Sequence, residues 1–183
     1  MNEHIAKMTA DVDSITVSVK EAFGGLSSDQ LNWKPSAESW SVGQCIDHLI
    51  RSNVGVFPAL DGVIAGKKPT FWESYSPFTG WVGGFMIRSL SSDARKFKAP
   101  TKTIVPPSDI AADIVDQFAA NQAIVVEKIN GLCDIDADKT VLTSPFMRLM
   151  TYKVSDGFHI LIEHEKRHIR QAKRVMEMDG FPK

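Results

Sequence analysis

Residues 155–178 read SDGFHILIEHEKRHIRQAKRVMEM, and their spacing decides the fold class. On a wheel of 3.6 residues per turn, Leu161, Ala172 and Val175 fall within about 40° of His168, and Phe158, Ile162, Ile169 and Met176 extend the apolar sector. Glu163, Lys166, Arg170, Lys173 and Arg174 take the far side, the expected solvated face. The pattern predicts an amphipathic helix that starts between Thr151 and Ser155, runs to about Met178, and is stopped by Gly180 and Pro182. His164 also lies about 40° from His168, so two imidazoles point toward the core one turn apart. His159 lies about 180° away and is expected to face solvent.

The same period recurs outward from this stretch. Ile5, Met8, Val12, Ile15, Val19 and Phe23 predict a helix over 3–23, ended by Gly24-Gly25. One further turn fits 28–32. Ser41 and Gln44 form a capping box, with Trp40 and Cys45 at the hydrophobic-staple positions. The helix they start is expected to reach about Ala65, with Pro58 able to kink it or end it early. Ser108 is the expected cap of a third long helix with an apolar face of Ile110, Ile114, Phe118, Val125, Ile129 and Leu132, and Gly131 near its end. A polar connector follows at 133–145. Residues 66–107 lack a period. They hold Pro69, Pro77, Pro100, Pro106 and Pro107, and the aromatics Phe71, Trp72, Tyr75, Phe78, Trp81 and Phe85. A short helix near 81–90 is expected there, and the aromatics are expected to fold the connection down as a satellite core. No repeat and no strand pattern of useful length is visible. Long helices with one very long connection predict an all-α fold: a four-helix bundle with a crossover between its second and third helices, one domain over 1–183.

Composition narrows the function. The 183 residues carry 21 Lys+Arg against 22 Asp+Glu, a net charge of -1, which disfavours nucleic acid and anionic membrane as partners. The 43% apolar and 23% charged fractions are those of a globular chain. Two cysteines, Cys45 and Cys133, are too few for a disulfide framework. The first residues lack the apolar region of a secretory signal, and no apolar run approaches the ~18 residues of a membrane span. A cytoplasmic location is expected.

His48 supplies a third inward imidazole. On its own helix it shares a face with Cys45, Ser52 and Val56, with Leu49 at the flank. Three convergent histidines on two helices would form a metal site with open positions, the catalytic rather than the structural pattern, provided the helices are neighbours. Otherwise the imidazoles would hydrogen-bond across the core and bind nothing. His164-Glu165-Lys166-Arg167-His168 also reads H-E-x-x-H, the zinc-protease pattern. That reading is rejected, because no histidine follows to complete the ligand set and Gln171 and Arg174 break the extended form. Glu165 lies about 60° from His168 toward the apolar sector. It could orient a ligand histidine, act as a base, or form a salt bridge at the edge of the core. Cys45 could approach a metal as thiolate or be a small buried residue. Gln171, beside His164 on the wheel, is a donor behind the ligands or a surface amide.

Trp40-Ser41-x-x-Gln44-x-x-x-His48-Leu49 together with His164-x-x-x-His168-x-x-Gln171 resembles the DinB-like superfamily, the damage-inducible helical metalloproteins rather than the polymerase sharing the name. The likeness spans the chain, including the long connection after the second helix. Ile169-Arg170 departs from the Arg-Gly often found before the glutamine. The resemblance implies an up-down-down-up bundle and a divalent metal, zinc or nickel, held by His48, His164 and His168. It also implies a homodimer and thiol-dependent chemistry on a small-molecule substrate, by S-transfer or isomerisation. On that reading a low-molecular-weight thiol is activated at the metal and attacks an electrophile near the aromatics of 72–85. Glu165 is then a candidate base and Arg51 a candidate contact for an acidic thiol carrier. The alternative is a non-catalytic bundle that binds a small molecule or a partner chain.

Overall fold

The computed structural model describes residues 3–91 and 101–183, and for residues 3 and 4 the backbone alone. The middle of the expected crossover, 92–100, and the His4 side chain therefore lie outside the described residues. The chain is mostly helical. Its long helices are α1 (Glu3–Phe23), α3 (Val42–Ile64), α6 (Ile114–Gly131) and α7 (Val154–Met176). Shorter ones are α2 (Ser28–Asn32), α4 (Phe71–Tyr75) and α5 (Thr79–Ser91), with a 3-10 turn at Lys102–Ile104. α1 packs on α6 and α7, and α3 packs on the same two helices. Val12, Val19, Phe118, Ile129, Val154 and Ala172 reach zero exposure in the shared core.

α3 starts as its sequence dictates. The Ser41 hydroxyl accepts from the Gln44 N–H at 3.1 Å, and the Gln44 side chain accepts from the Ser41 N–H at 3.1 Å. Pro58 does not end the helix. It lies on an exposed side of the helix with Val54, whose carbonyl loses its usual helical donor to the proline.

Four expectations are corrected. α6 begins at Ile114 rather than after Ser108. The reason is long-range: the Asn32 side chain accepts from the Ile110 N–H at 2.8 Å and donates to the Ile110 carbonyl at 2.9 Å. Ile110 is buried against Gly43 instead of on a helix face. A two-stranded antiparallel ribbon forms where no strand was expected: β1 (Val141–Thr143) lies in the polar connector, and β2 (Thr151–Lys153) lies in the window expected for the start of the last helix and runs directly into α7.

The third correction concerns the aromatics. Phe71, Tyr75, Phe78 and Trp81 are exposed. Glu73 explains this. One of its carboxylate oxygens caps α4 through Thr70, and the other accepts from Thr143 N–H and Oγ1, both at 3.0 Å. The inner side of α4 is thus spent on polar anchors to β1, and the rings point out. Fourth, the far side of α7 is solvated only in part: Lys173 and Arg174 are exposed, whereas Glu163, Lys166 and Arg170 are half-buried. α5 packs along it, with Gly83 against Asp156, Ser91 donating to Glu163 at 3.1 Å, and Arg167 donating to the Ser89 carbonyl at 3.2 Å. His159 is accordingly half-buried.

Candidate metal centre

His48, in the second turn of α3, meets His164 and His168 from the middle of α7. One ring nitrogen from each lies within 4.8 Å of the others. The ring centroids are 4.5–5.0 Å apart. His48 is buried and the other two are half-buried. The i, i+4 spacing stacks His164 and His168 on one face of α7, and the packing of α3 on α7 brings the third imidazole to them.

The orientation of His48 is fixed by the backbone. Its Nδ1 lies 2.7 Å from the carbonyl oxygen of Ile104. A carbonyl only accepts, so Nδ1 carries the proton and Nε2 presents its lone pair to the cluster. Nε2 of His48 lies 3.1 Å from Nε2 of His164. Burial holds both imidazoles toward the neutral form. For His164, held well below the usual range, the neighbouring His168 and His48 add to the effect. With both neutral, the His164 Nε2–H donates to His48. Two nitrogens on a tetrahedral zinc at ~2.0–2.1 Å stand roughly 3.3 Å apart. The 3.1 Å pair fits that spacing, and the donor set is nitrogen alone, which suits zinc, nickel and other borderline ions.

Trp40, which the sequence offered as a packing staple, lies over this cluster. Its ring is 4.8 Å from that of His48 and 5.7 Å from that of His168, the latter stacked at 28°. It thus touches two of the three imidazoles, at a place the sequence reading gave to 72–85.

Glu165 is fully buried and belongs to a separate polar group. Asn53 of α3 donates to Oε1 and Gln122 of α6 to Oε2, each at 2.9 Å, and Asn53 also donates to Asn121 at 2.9 Å. Burial pushes the Glu165 carboxyl up to about 7 against the pull of Asn53 and Gln122. The group ties α3, α6 and α7 together beside the histidines. Sequence reasoning missed its amides, although Asn121 and Gln122 sit where α6's apolar face between Phe118 and Val125 needs core residues. Cys45 is buried, and that burial pushes its thiol up to about 12 despite Arg174; it is not among the ligand atoms that converge with the three imidazoles. Arg51 is exposed and paired with Asp47 one turn back on α3. Gln171 is half-buried.

A family model of the DinB superfamily matches residues 17–172, which include all three histidines. No curated protein and no solved structure matches the chain.

Proposed function

This chain belongs to the DinB superfamily, and from that premise we propose that it is a divalent-metal-dependent enzyme of thiol-transfer type. The observation that carries the reading is the convergence of His48, His164 and His168 within 4.8 Å, with the free lone pair of His48 aimed inward by the Ile104 carbonyl. These three residues would hold zinc or nickel. The ion would supply a Lewis-acidic position at which a small thiol is favoured as thiolate. Three protein ligands leave room for that thiol, and Cys45 is not among the ligand atoms that converge with the histidines.

The remaining roles belong to the chain's own side chains. Glu165, tied to Asn53 and Gln122, would set the position of α7 against α3 and α6, and through it the position of His164; a role as base needs it freed from those bonds. Trp40 would wall one side of the open position, excluding water and offering a flat apolar surface to the electrophile. Arg51, exposed at the flank of His48's helix, would meet an acidic group on the thiol carrier. The long helices would form an up-down-down-up bundle in one domain, working as a cytoplasmic homodimer on a small-molecule substrate.

Protein purified without a histidine tag is expected to carry about one zinc or nickel per chain by elemental analysis. His48→Ala and His168→Ala should each remove it. Stoichiometric metal in both variants would overturn the three-histidine centre. Conjugation assays of the loaded protein with glutathione, bacillithiol and mycothiol against a generic electrophile then test the chemistry. Metal binding without turnover of any of them would favour the non-catalytic reading.

A further inference from the structure

Gln44 uses both ends of its buried side chain. Its Oε1 accepts from the Ser41 N–H and closes the capping box of α3. Its Nε2 donates to the Pro107 carbonyl at 2.8 Å. A cap needs only the oxygen, so the second bond has a separate consequence. Pro107 lies three residues beyond Ile104, whose carbonyl orients His48. Gln44 and His48 stand one turn apart on the same face of α3, and each holds a carbonyl of the same short segment.

The link between those two carbonyls is stiff. Pro106 and Pro107 have a fixed φ and no N–H, so the segment is tied to α3 through its carbonyls. Val105 and Pro106 each precede a proline, which disfavours helical backbone, and Val105 is extended at φ -77° and ψ 124°. A displacement of the Pro107 carbonyl is therefore passed on to that of Ile104. The same device recurs in the chain. In the capping box of α2, Gln30 spends its spare Nε2 on the Pro182 carbonyl at 3.0 Å, and in that of α4, Glu73 holds Thr143. At Gln44 the remote segment is the one that touches the histidine cluster.

We propose that Gln44 is a positioning residue of the three-histidine centre. By holding the Pro107 carbonyl it keeps the Ile104 carbonyl on Nδ1 of His48, and so fixes which nitrogen of His48 faces the other two imidazoles. The consequence for a metal rests on the proposed function; the orientation of His48 does not.

Gln44→Glu keeps the cap, since a glutamate oxygen serves there equally, and removes the donor to Pro107. Zinc affinity, measured by competition with a chromophoric chelator, should fall about 10-fold, the low end of the loss on removing a ligand's outer partner. The added negative charge by itself favours a cation, so a loss reports geometry. In metal-free protein, imidazole nitrogen NMR shifts should show His48 as the Nδ1–H tautomer in the wild type and as a mixture in the variant. Pro107→Gly, at an exposed position, keeps the carbonyl and loosens the link. It should move both readouts the same way, and it carries the test if Gln44→Glu does not fold. Gln30→Glu, the same change at a cap remote from His48, should move neither. Affinity and tautomer unchanged in the Gln44 and Pro107 variants, or changed equally by Gln30→Glu, would overturn the proposal. A wild type that binds no zinc would overturn the three-histidine reading instead, and the tautomer would still decide whether Gln44 positions His48.

Discussion

Glu165 places a carboxylate at zero exposure, and two amide donors are buried with it. Glu165→Ala would leave Asn53 and Gln122 without acceptors in an apolar interior, at about 1–3 kcal/mol for each stranded group. The expected loss in urea unfolding is about 3 kcal/mol, and Glu165→Gln, which keeps one acceptor, should lose about half of that. An alanine variant within 0.5 kcal/mol of wild type, roughly the noise of a neutral surface change, would show that the network contributes no stability. The direction of Glu165 was readable from the helical wheel, as were those of His48, His164 and His168, because orientation on a helix depends only on residue spacing. Its partners were not readable. Which amides meet a carboxylate depends on how α3, α6 and α7 are placed, and no local period encodes that. Arg51 shows the converse: Asp47 stands four residues before it, a spacing that already offered a local, solvent-screened pair.

Helix α3 was readable from its cap to nearly its last residue, because a capping box is a local device. The start of α6 was not, because Asn32, 78 residues before Ile110, takes both backbone groups of that residue. The ribbon of β1 and β2 was missed for a similar reason: three-residue strands carry too little alternation to register. Contact between elements also decides what two glycines tolerate. A Cβ on Gly43 of α3 would stand 2.8 Å from Ile110 Cγ2 and 3.0 Å from the Leu31 backbone oxygen, and neither can swing away. A Cβ on Gly84 of α5 meets nothing within 4 Å. Gly84→Ala should therefore gain up to about 1 kcal/mol from helix propensity. Gly43→Ala should lose about 1–3 kcal/mol from overpacking. Thermal melts of the two variants should move in opposite directions, and a shared direction would contradict the contact at Ile110.

At the scale of the whole molecule, α7 is the common partner: α1 and α3 pack on it, and α5 covers part of its remaining side. The helical class was legible because every long helix carries its own apolar stripe. The cover by α5 was not, since Glu163 and Arg170 look like a solvated face until Ser91, Arg167 and Asp156 are placed. A divalent ion bridging α3 and α7 would bind the folded chain alone and stabilise it by mass action, about 4 kcal/mol at a thousandfold excess over Kd. Chelation should lower the melting temperature, added zinc should restore it, and His168→Ala should be insensitive to both. A wild-type melt unmoved by chelator would count against an ion that spans the two helices. Trp40 gives the molecule one more property. An indole stacked on His168 at 5.7 Å and tilted over His48 at 4.8 Å should change its emission when an ion occupies those rings. The protein would thus carry an optical gauge of its own centre, a metal-dependent change in emission that Trp40→Phe should abolish while Trp33, Trp72 and Trp81 still emit.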